Sequence, residues 1–370
     1  MIPFVDLKSQ YLSIKEEIDE TVMDALMNTD FIGGESVKKF ENSFKAKLNI
    51  SHCVGVGNGT DSIYIILKAL GIGKGDEVIT VCNSWISTSE VITMTGAKVV
   101  FVDIDPSTYT ISLDDLLRKI TARTKAIIPV HIFGQACDLD GILKIAEPNN
   151  IFVVEDCAQS HFSKYKNQFV GTLGIASSFS FYPGKNLGAY GDAGCIVTNN
   201  EELAIKCKMI ANHGSLIKHA HNIEGLNSRL DAIQARILNV KLNHILDWTK
   251  LRIEKANYYS RELEGVGDLI FPHVRENSIH SFHLYVLQTK YRDELMQFLK
   301  GENVQVAIHY PQLLPFLPAY NYLNHKTGDF PIAESFSKKI ISIPLFPELT
   351  TESQDRIIYI IKDFFRNKER

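Results

Sequence analysis

The sequence predicts an α/β protein, with a large domain built on a mostly parallel sheet and a smaller α+β domain at its C-terminal end. Three observations predict it. Short runs rich in Val, Ile and Phe alternate with helix-like segments over the first two thirds of the chain, and strands separated by helices imply crossover connections and parallel pairing. After Asn227 the alternation stops and a long helical periodicity begins. The length, 370 residues, fits two domains at roughly 100 to 200 residues each.

The elements follow in order. A short strand leads into the glycines at 55, 57 and 59, and a helix is expected over 61–70. Strands at Glu77–Val81, Lys98–Val102, 126–130, 151–155, 177–181 and Gly194–Thr198 are interleaved with helices at 88–95, 113–120 and Leu139–Ala146. Leu230, Ile233, Ile237 and Val240 then recur at helical spacing, and the helix continues past Trp248 towards Leu263. Beyond it lie a strand-like run at 281–289, a Pro-rich stretch at 311–318 and a last helix with Ile357, Ile361 and Phe364 on one face. That helix opens with Thr351 and Gln354, the spelling of a capping box. The expected division is a large domain over 1–249 and a small one over 250–370.

Composition narrows the function. Thirty-nine Lys and Arg against 43 Asp and Glu give a net charge of −4, with 45% hydrophobic and 22% charged residues. This excludes a disordered chain, a collagen-like repeat and a strongly basic nucleic-acid binder. No apolar run approaches the ~20 residues of a membrane span, and the N-terminus lacks a basic start followed by an apolar stretch. Six scattered cysteines without a Cys-x-x-Cys pair, and twelve histidines without metal-ligand spacing, argue against a zinc or disulfide framework. A cytoplasmic protein is expected.

Four segments carry chemistry. Gly55-Val56-Gly57-Asn58-Gly59-Thr60-Asp61 is a glycine-rich turn at a helix start, where free N–H groups and the positive dipole end suit a phosphate, although a plain turn capped by Thr60 has the same spelling. A dinucleotide fingerprint would require Gly in place of Thr60 and an acidic residue after the next strand, which reads Thr80-Val81-Cys82. The second segment, 153–161, is a buried strand ending in Glu155-Asp156, at the edge where α/β sheets bind ligands. By strand alternation the two carboxylates face opposite ways, and Asp156 is the better placed to oppose a cationic ring nitrogen.

In the third segment, Ser178 to Gly188, a strand ends and Lys185 follows in a turn with Pro183 and Gly184. A lysine held against the sheet edge loses solvation, which lowers its pKa as Schiff-base chemistry requires; the alternative is a solvated loop lysine. Asn186 in place of Ser or Thr rules out a P-loop. The fourth segment, Gly225 to Asp231, opens the long helix, and Asn227 or Ser228 could simply cap it.

Taken in order, the glycine turn, Asp-x-x-Gln, Ser-Phe-Tyr-Pro-x-Lys-Asn-Leu-Gly and Gly-x-Asn-Ser-Arg-Leu-Asp resemble the DegT/StrS-type nucleotide-sugar aminotransferases over nearly the whole chain. Phe4-Val5-Asp6-Leu7, Val102-Asp103-Ile104-Asp105, Pro129-Val130-His131 and His309-Tyr310-Pro311 support the match. The resemblance implies the fold-type I, aspartate aminotransferase-like fold and pyridoxal 5'-phosphate (PLP) as cofactor. It implies that Lys185 carries PLP and moves the proton, that Asp156 keeps the pyridine nitrogen protonated, and that Gln159 meets the phenolic oxygen. It further places Trp85 on the ring face, and gives the phosphate to Gly59, Thr60 and Ser180, with Asn227 reaching across from the second subunit of a homodimer. Tyr182, His309 and Tyr310 are expected to meet the sugar. Gly184 departs from relatives that carry Thr or another side chain there.

The implied reaction moves an amino group from L-glutamate to a nucleotide-linked keto sugar. The spellings around Gly57 and Asn227 are most similar to enzymes acting at C-3 of a dTDP-3-keto-6-deoxyhexose, which form a 3-amino-fucose or 3-amino-quinovose product; action at C-4 is the alternative. A related sugar dehydratase carries His in place of the lysine, and Lys185 argues against it. An intact Lys185, Asp156 and Gln159 also argue against a non-catalytic regulatory protein of the same fold.

Overall fold

The computed structural model describes residues 1–368. Seven strands form the main sheet: β1 (His52–Val56), β2 (Glu77–Val81), β3 (Lys98–Val102), β4 (Thr124–Ile128), β5 (Phe152–Asp156), β6 (Ala176–Ser180) and β7 (Gly194–Thr198). Their order is β1-β7-β6-β5-β4-β2-β3, and only β7 runs against its neighbours. Helices cover both faces, so β2 and β7 are buried along their whole length, Glu77 and Thr80 included. Because β7 is antiparallel to both β1 and β6, the C-terminal ends of β1, β5 and β6 share one edge.

Strand β4 stops two residues earlier than its apolar run suggests. Pro129 has no N–H for the ladder, and pairing resumes only as a single bridge between Val130 and Asp156.

Three helices precede the sheet, at Leu7–Ser13, Lys15–Met27 and Gly34–Leu48. In the third, Val37, Phe40, Phe44 and Leu48 recur at helical spacing and are buried, with Phe40 and Phe44 edge-on against Phe181. The long helix spans Ala232–Glu262 without a break. Its first half, through Trp248, packs into the core under the sheet, while Ala256 and Tyr259 join a second core with the C-terminal segments.

In that second core β8 (Tyr285–Gln288) pairs antiparallel with β9 (Ile340–Ile343), flanked by helices Arg292–Gly301 and Thr351–Lys368. The run at 281–289 yields only the four residues of β8, because Phe282 adopts φ +45° and cannot continue an extended strand. Nor does Thr351 open a capping box. Thr350 is the cap, its hydroxyl accepting the Ser353 N–H at 3.2 Å, and the Gln354 amide instead donates to the Lys255 carbonyl at 2.7 Å. Among the described residues no helix is long and apolar enough to cross a membrane.

Candidate active site

A cavity of about 740 Å³ opens at the shared strand edge, between the sheet and the C-terminal segments. Of the residues singled out in the sequence, Gly59, Thr60, Trp85, Asp156, Gln159, Ser180, Tyr182, Lys185, His309 and Tyr310 all line it. Asn227 does not. It is exposed on the surface, bridged to Asn212, and outside the lining of its own chain's cavity.

The end of the cavity expected to take a phosphate begins where β1 hands over to helix Gly59–Ala69. Asn58, rather than Thr60, is the cap, its side chain accepting the Asp61 N–H at 2.8 Å. As the first two helical residues, Gly59 and Thr60 keep N–H groups without intrahelical acceptors, at the positive end of the dipole. A Cβ on residue 59 would stand 2.7 Å from the Ser180 Cβ, so glycine is what lets the helix start approach the end of β6. Thr60 Oγ1 is bonded to Ser87 Oγ at 2.7 Å.

Strand β5 ends on two carboxylates that diverge as alternation requires. Asp156 faces the cavity, where Thr88 Oγ1 donates to it at 2.8 Å and the Ala158 N–H at 3.1 Å. Glu155 is fully buried on the other face, accepting the N–H groups of Gly171, Leu173 and Gly174 at 2.7 to 2.9 Å and meeting His131 Nε2 at 2.9 Å. His131 Nδ1 accepts the Cys137 N–H at 3.0 Å, so His131 is the neutral tautomer that donates from Nε2. Cys157 lies close enough to His131 and Glu155 to suggest a metal site, but the imidazole and the carboxylate are already committed to protein partners.

Lys185 follows β6 in a tight loop, its N–H bonded to the Tyr182 carbonyl at 2.8 Å. Burial lowers its amine pKa to about 8, against a partial offset from the Asp156 charge. Its neighbours are held neutral: burial, reinforced by Lys185, brings His309 to about 4 and pushes His283 well below its ordinary value. Gln159 is fixed at both ends, Oε1 accepting the Phe133 N–H at 2.8 Å and Nε2 donating to the Tyr310 hydroxyl at 2.9 Å. Trp85 stands half over the opening, 60% exposed, its ring 6.0 Å from that of Tyr310. His309 Nδ1 meets Ser342 Oγ at 2.9 Å and its ring stacks on Phe4.

Sequence reasoning passed over Asn58, Thr88, Asn186, Arg252 and His283. Thr88 orients Asp156, and Asn186 ties the Lys185 loop to the Ser281 carbonyl and to His283, at 3.1 and 3.2 Å. Asn58 alone left a local signal, an Asn three residues before the acidic Asp61 of the first turn. Neither Asn227 nor Ser228 caps the long helix. Asp231 occupies that position, and the Ser228 hydroxyl accepts the Gly57 N–H at 3.1 Å.

These donors fit PLP: a phosphate cradle a Cβ would fill, an amine of lowered pKa, and an oriented carboxylate across the same cavity. The fold and site thus define a PLP-dependent aminotransferase. Residues 12–362 match the model of the DegT/DnrJ/EryC1/StrS aminotransferase family, and the chain belongs to that family. It is 44% identical over 99% of both chains to a "pleiotropic regulatory protein" of Geobacillus stearothermophilus. It is 38% identical to the dTDP-3-amino-3,6-dideoxy-alpha-D-galactopyranose transaminase of Aneurinibacillus thermoaerophilus, over 98% of this chain and 99% of that one. The crystal structure of Streptomyces venezuelae DesV with a ketimine intermediate superimposes with a TM-score of 0.96 at 35% identity, over 98% of each chain.

Proposed function

We propose that the protein transfers the amino group of L-glutamate to C-3 of a dTDP-linked 3-keto-6-deoxyhexose, in the cytoplasm, as a homodimer with shared active sites. The observation that carries the transfer chemistry is Lys185, an amine of lowered pKa in the same cavity as the oriented Asp156 carboxylate. Bound PLP supplies the electron sink for the carbanion formed at the donor carbon. Lys185 would carry it and would take and return the proton, and Asp156 would keep the ring nitrogen protonated. The N–H groups of Gly59 and Thr60, with Ser180, would receive the phosphate. Gln159 would meet the phenolic oxygen, Trp85 would cover the ring, and Tyr182, His309 and Tyr310 would present polar groups to the sugar.

Action at C-3 is favoured by the spellings around Gly57 and Asn227 and by the 3-amino sugar named for the Aneurinibacillus relative. A regulatory role, as named for the Geobacillus relative, would leave the intact Lys185 and Asp156 without use. For the shared site, Asn227 is exposed, and exposed apolar side chains lie along the same region: Ile32, bridged to Asp231, with Ile217 and Ile223.

The test is conversion of the dTDP-3-keto sugar with L-glutamate, the position of the new amine read by NMR. A product aminated at C-4 would overturn the C-3 reading. Lys185→Ala should abolish turnover and the cofactor's absorbance near 400 nm while the fold survives, and a variant that still transaminates would overturn the assignment of Lys185.

A further inference from the structure

We propose that Arg252 receives a carboxylate of the amino donor, an inference that rests on the donor reading above. Arg252 sits midway along the long helix, 4% exposed, and lines the same cavity as Lys185. Both its hydrogen bonds leave from Nη1, to the carbonyls of Phe282 at 3.2 Å and Leu345 at 2.9 Å, which fix the guanidinium plane. Nε is buried without an acceptor among the described residues. A guanidinium cannot discharge itself by losing its proton. It therefore stays a buried cation, with one edge unused.

The surroundings do not neutralise it. Glu348 is the carboxylate that most influences Arg252, yet the two form no ion pair within 4 Å, and Glu348 keeps a buried oxygen of its own without a donor. His283, beside it in the lining, is neutral. The lining carries two cationic side chains, Lys185 and the buried Arg252, and two carboxylates, the buried Asp156 and the exposed Asp192.

The position selects the ligand. The phosphate cradle lies at Gly59 and Thr60, whereas Arg252 shares its part of the lining with Leu284, Ile343 and Leu345. A group meeting an arginine so buried must enter the cavity completely. A carboxylate fits, and the edge formed by Nε and Nη2 is the one that binds carboxylates with two parallel hydrogen bonds.

The test is calorimetry on the holoenzyme with two probes: glutarate, a dicarboxylate with no amine to react, and dTDP. Arg252→Met should weaken glutarate about ten- to a hundredfold and leave dTDP unchanged, and Arg252→Lys, which keeps the charge but not the fork, should fall between. If Arg252→Met does not fold, a clear loss in Arg252→Lys carries the same weight. With L-glutamate, the rise should appear in KM for the half-reaction, followed by the cofactor's absorbance, while amination of the keto sugar keeps its KM. Glutarate binding that is absent in the native enzyme, or equal in native enzyme and variants, overturns the assignment, as does a parallel loss of dTDP affinity. A native enzyme whose absorbance does not respond to L-glutamate overturns the donor reading instead.

Discussion

Lys241 is a wholly buried lysine whose removal should reach the active site through the backbone. From the long helix its Nζ donates to the Gly188 carbonyl at 2.7 Å and stands 4.1 Å from the centre of the Tyr190 ring. Gly188 lies three residues beyond Lys185, in a loop so tight that a Cβ there would meet the Pro183 carbonyl oxygen at 2.3 Å. Burial lowers the Lys241 amine from 10.5 to about 7, with partial relief from Glu348.

The sign of the linkage follows. Between about pH 7 and 10.5 the unfolded chain holds a proton that the folded one has released, so native stability rises with pH through that window. Below pH 7 the buried charge costs roughly 5 kcal/mol in full. Lys241→Met removes this dependence but strands the Gly188 carbonyl, a loss of about 1–3 kcal/mol. In urea unfolding, the stability of the native protein relative to the variant should therefore climb by about 1.4 kcal/mol per pH unit from pH 7 to 9. Turnover should fall, since an ångström of misplacement at the lysine is enough for about a hundredfold. A stability difference independent of pH refutes the linkage, and unchanged turnover refutes the clamp.

Three further outcomes are expected. Asp156→Asn, which keeps the Thr88 contact and loses the charge, should lower turnover at least about a hundredfold, and near-normal rates would overturn its electrostatic role. Gly59→Ala must part the helix start from β6, so PLP affinity should fall about tenfold or more while pyridoxal, which lacks the phosphate, binds as before; equal losses for both would mean general damage. Mixing Lys185→Ala subunits with Asn227→Ala subunits should create heterodimers with one intact site, and activity no higher than either parent after exchange counts against sharing.

What was legible in the sequence is what depends on local order. Several β-strands announce themselves because burial on both faces favours clusters of Val, Ile and Phe in them, and the segments after β1, β5 and β6 carry their chemistry because the parallel topology brings those ends to one edge. What was not legible depends on partners distant in sequence. Gln159 is oriented by Tyr310, 151 residues away, and Thr88 is tied to Asp156 across 68. No spacing rule reports such pairs. Of the three N-terminal helices, the third did carry a readable signal, the apolar spacing of Val37, Phe40, Phe44 and Leu48. The cap of the last helix went to Thr350 because a tertiary acceptor, the Lys255 carbonyl, claims the Gln354 side chain.

The pair Glu155-Asp156 shows how a strand end divides structural from chemical work between neighbours. Glu155 turns away from the cavity and satisfies three backbone N–H groups of the 171–174 turn, which leads directly into β6. A Cβ at Gly174 would meet the Val153 carbonyl oxygen at 2.5 Å, so that turn is pressed against β5 and has little room to move. Strand β6 in turn delivers Ser180 to the cavity beside Gly59 and starts the loop of Lys185. The buried carboxylate facing away from the site therefore sets where the lysine strand begins, and the adjacent one faces the cavity that the lysine enters. Alternation along a single strand is enough to separate the two roles.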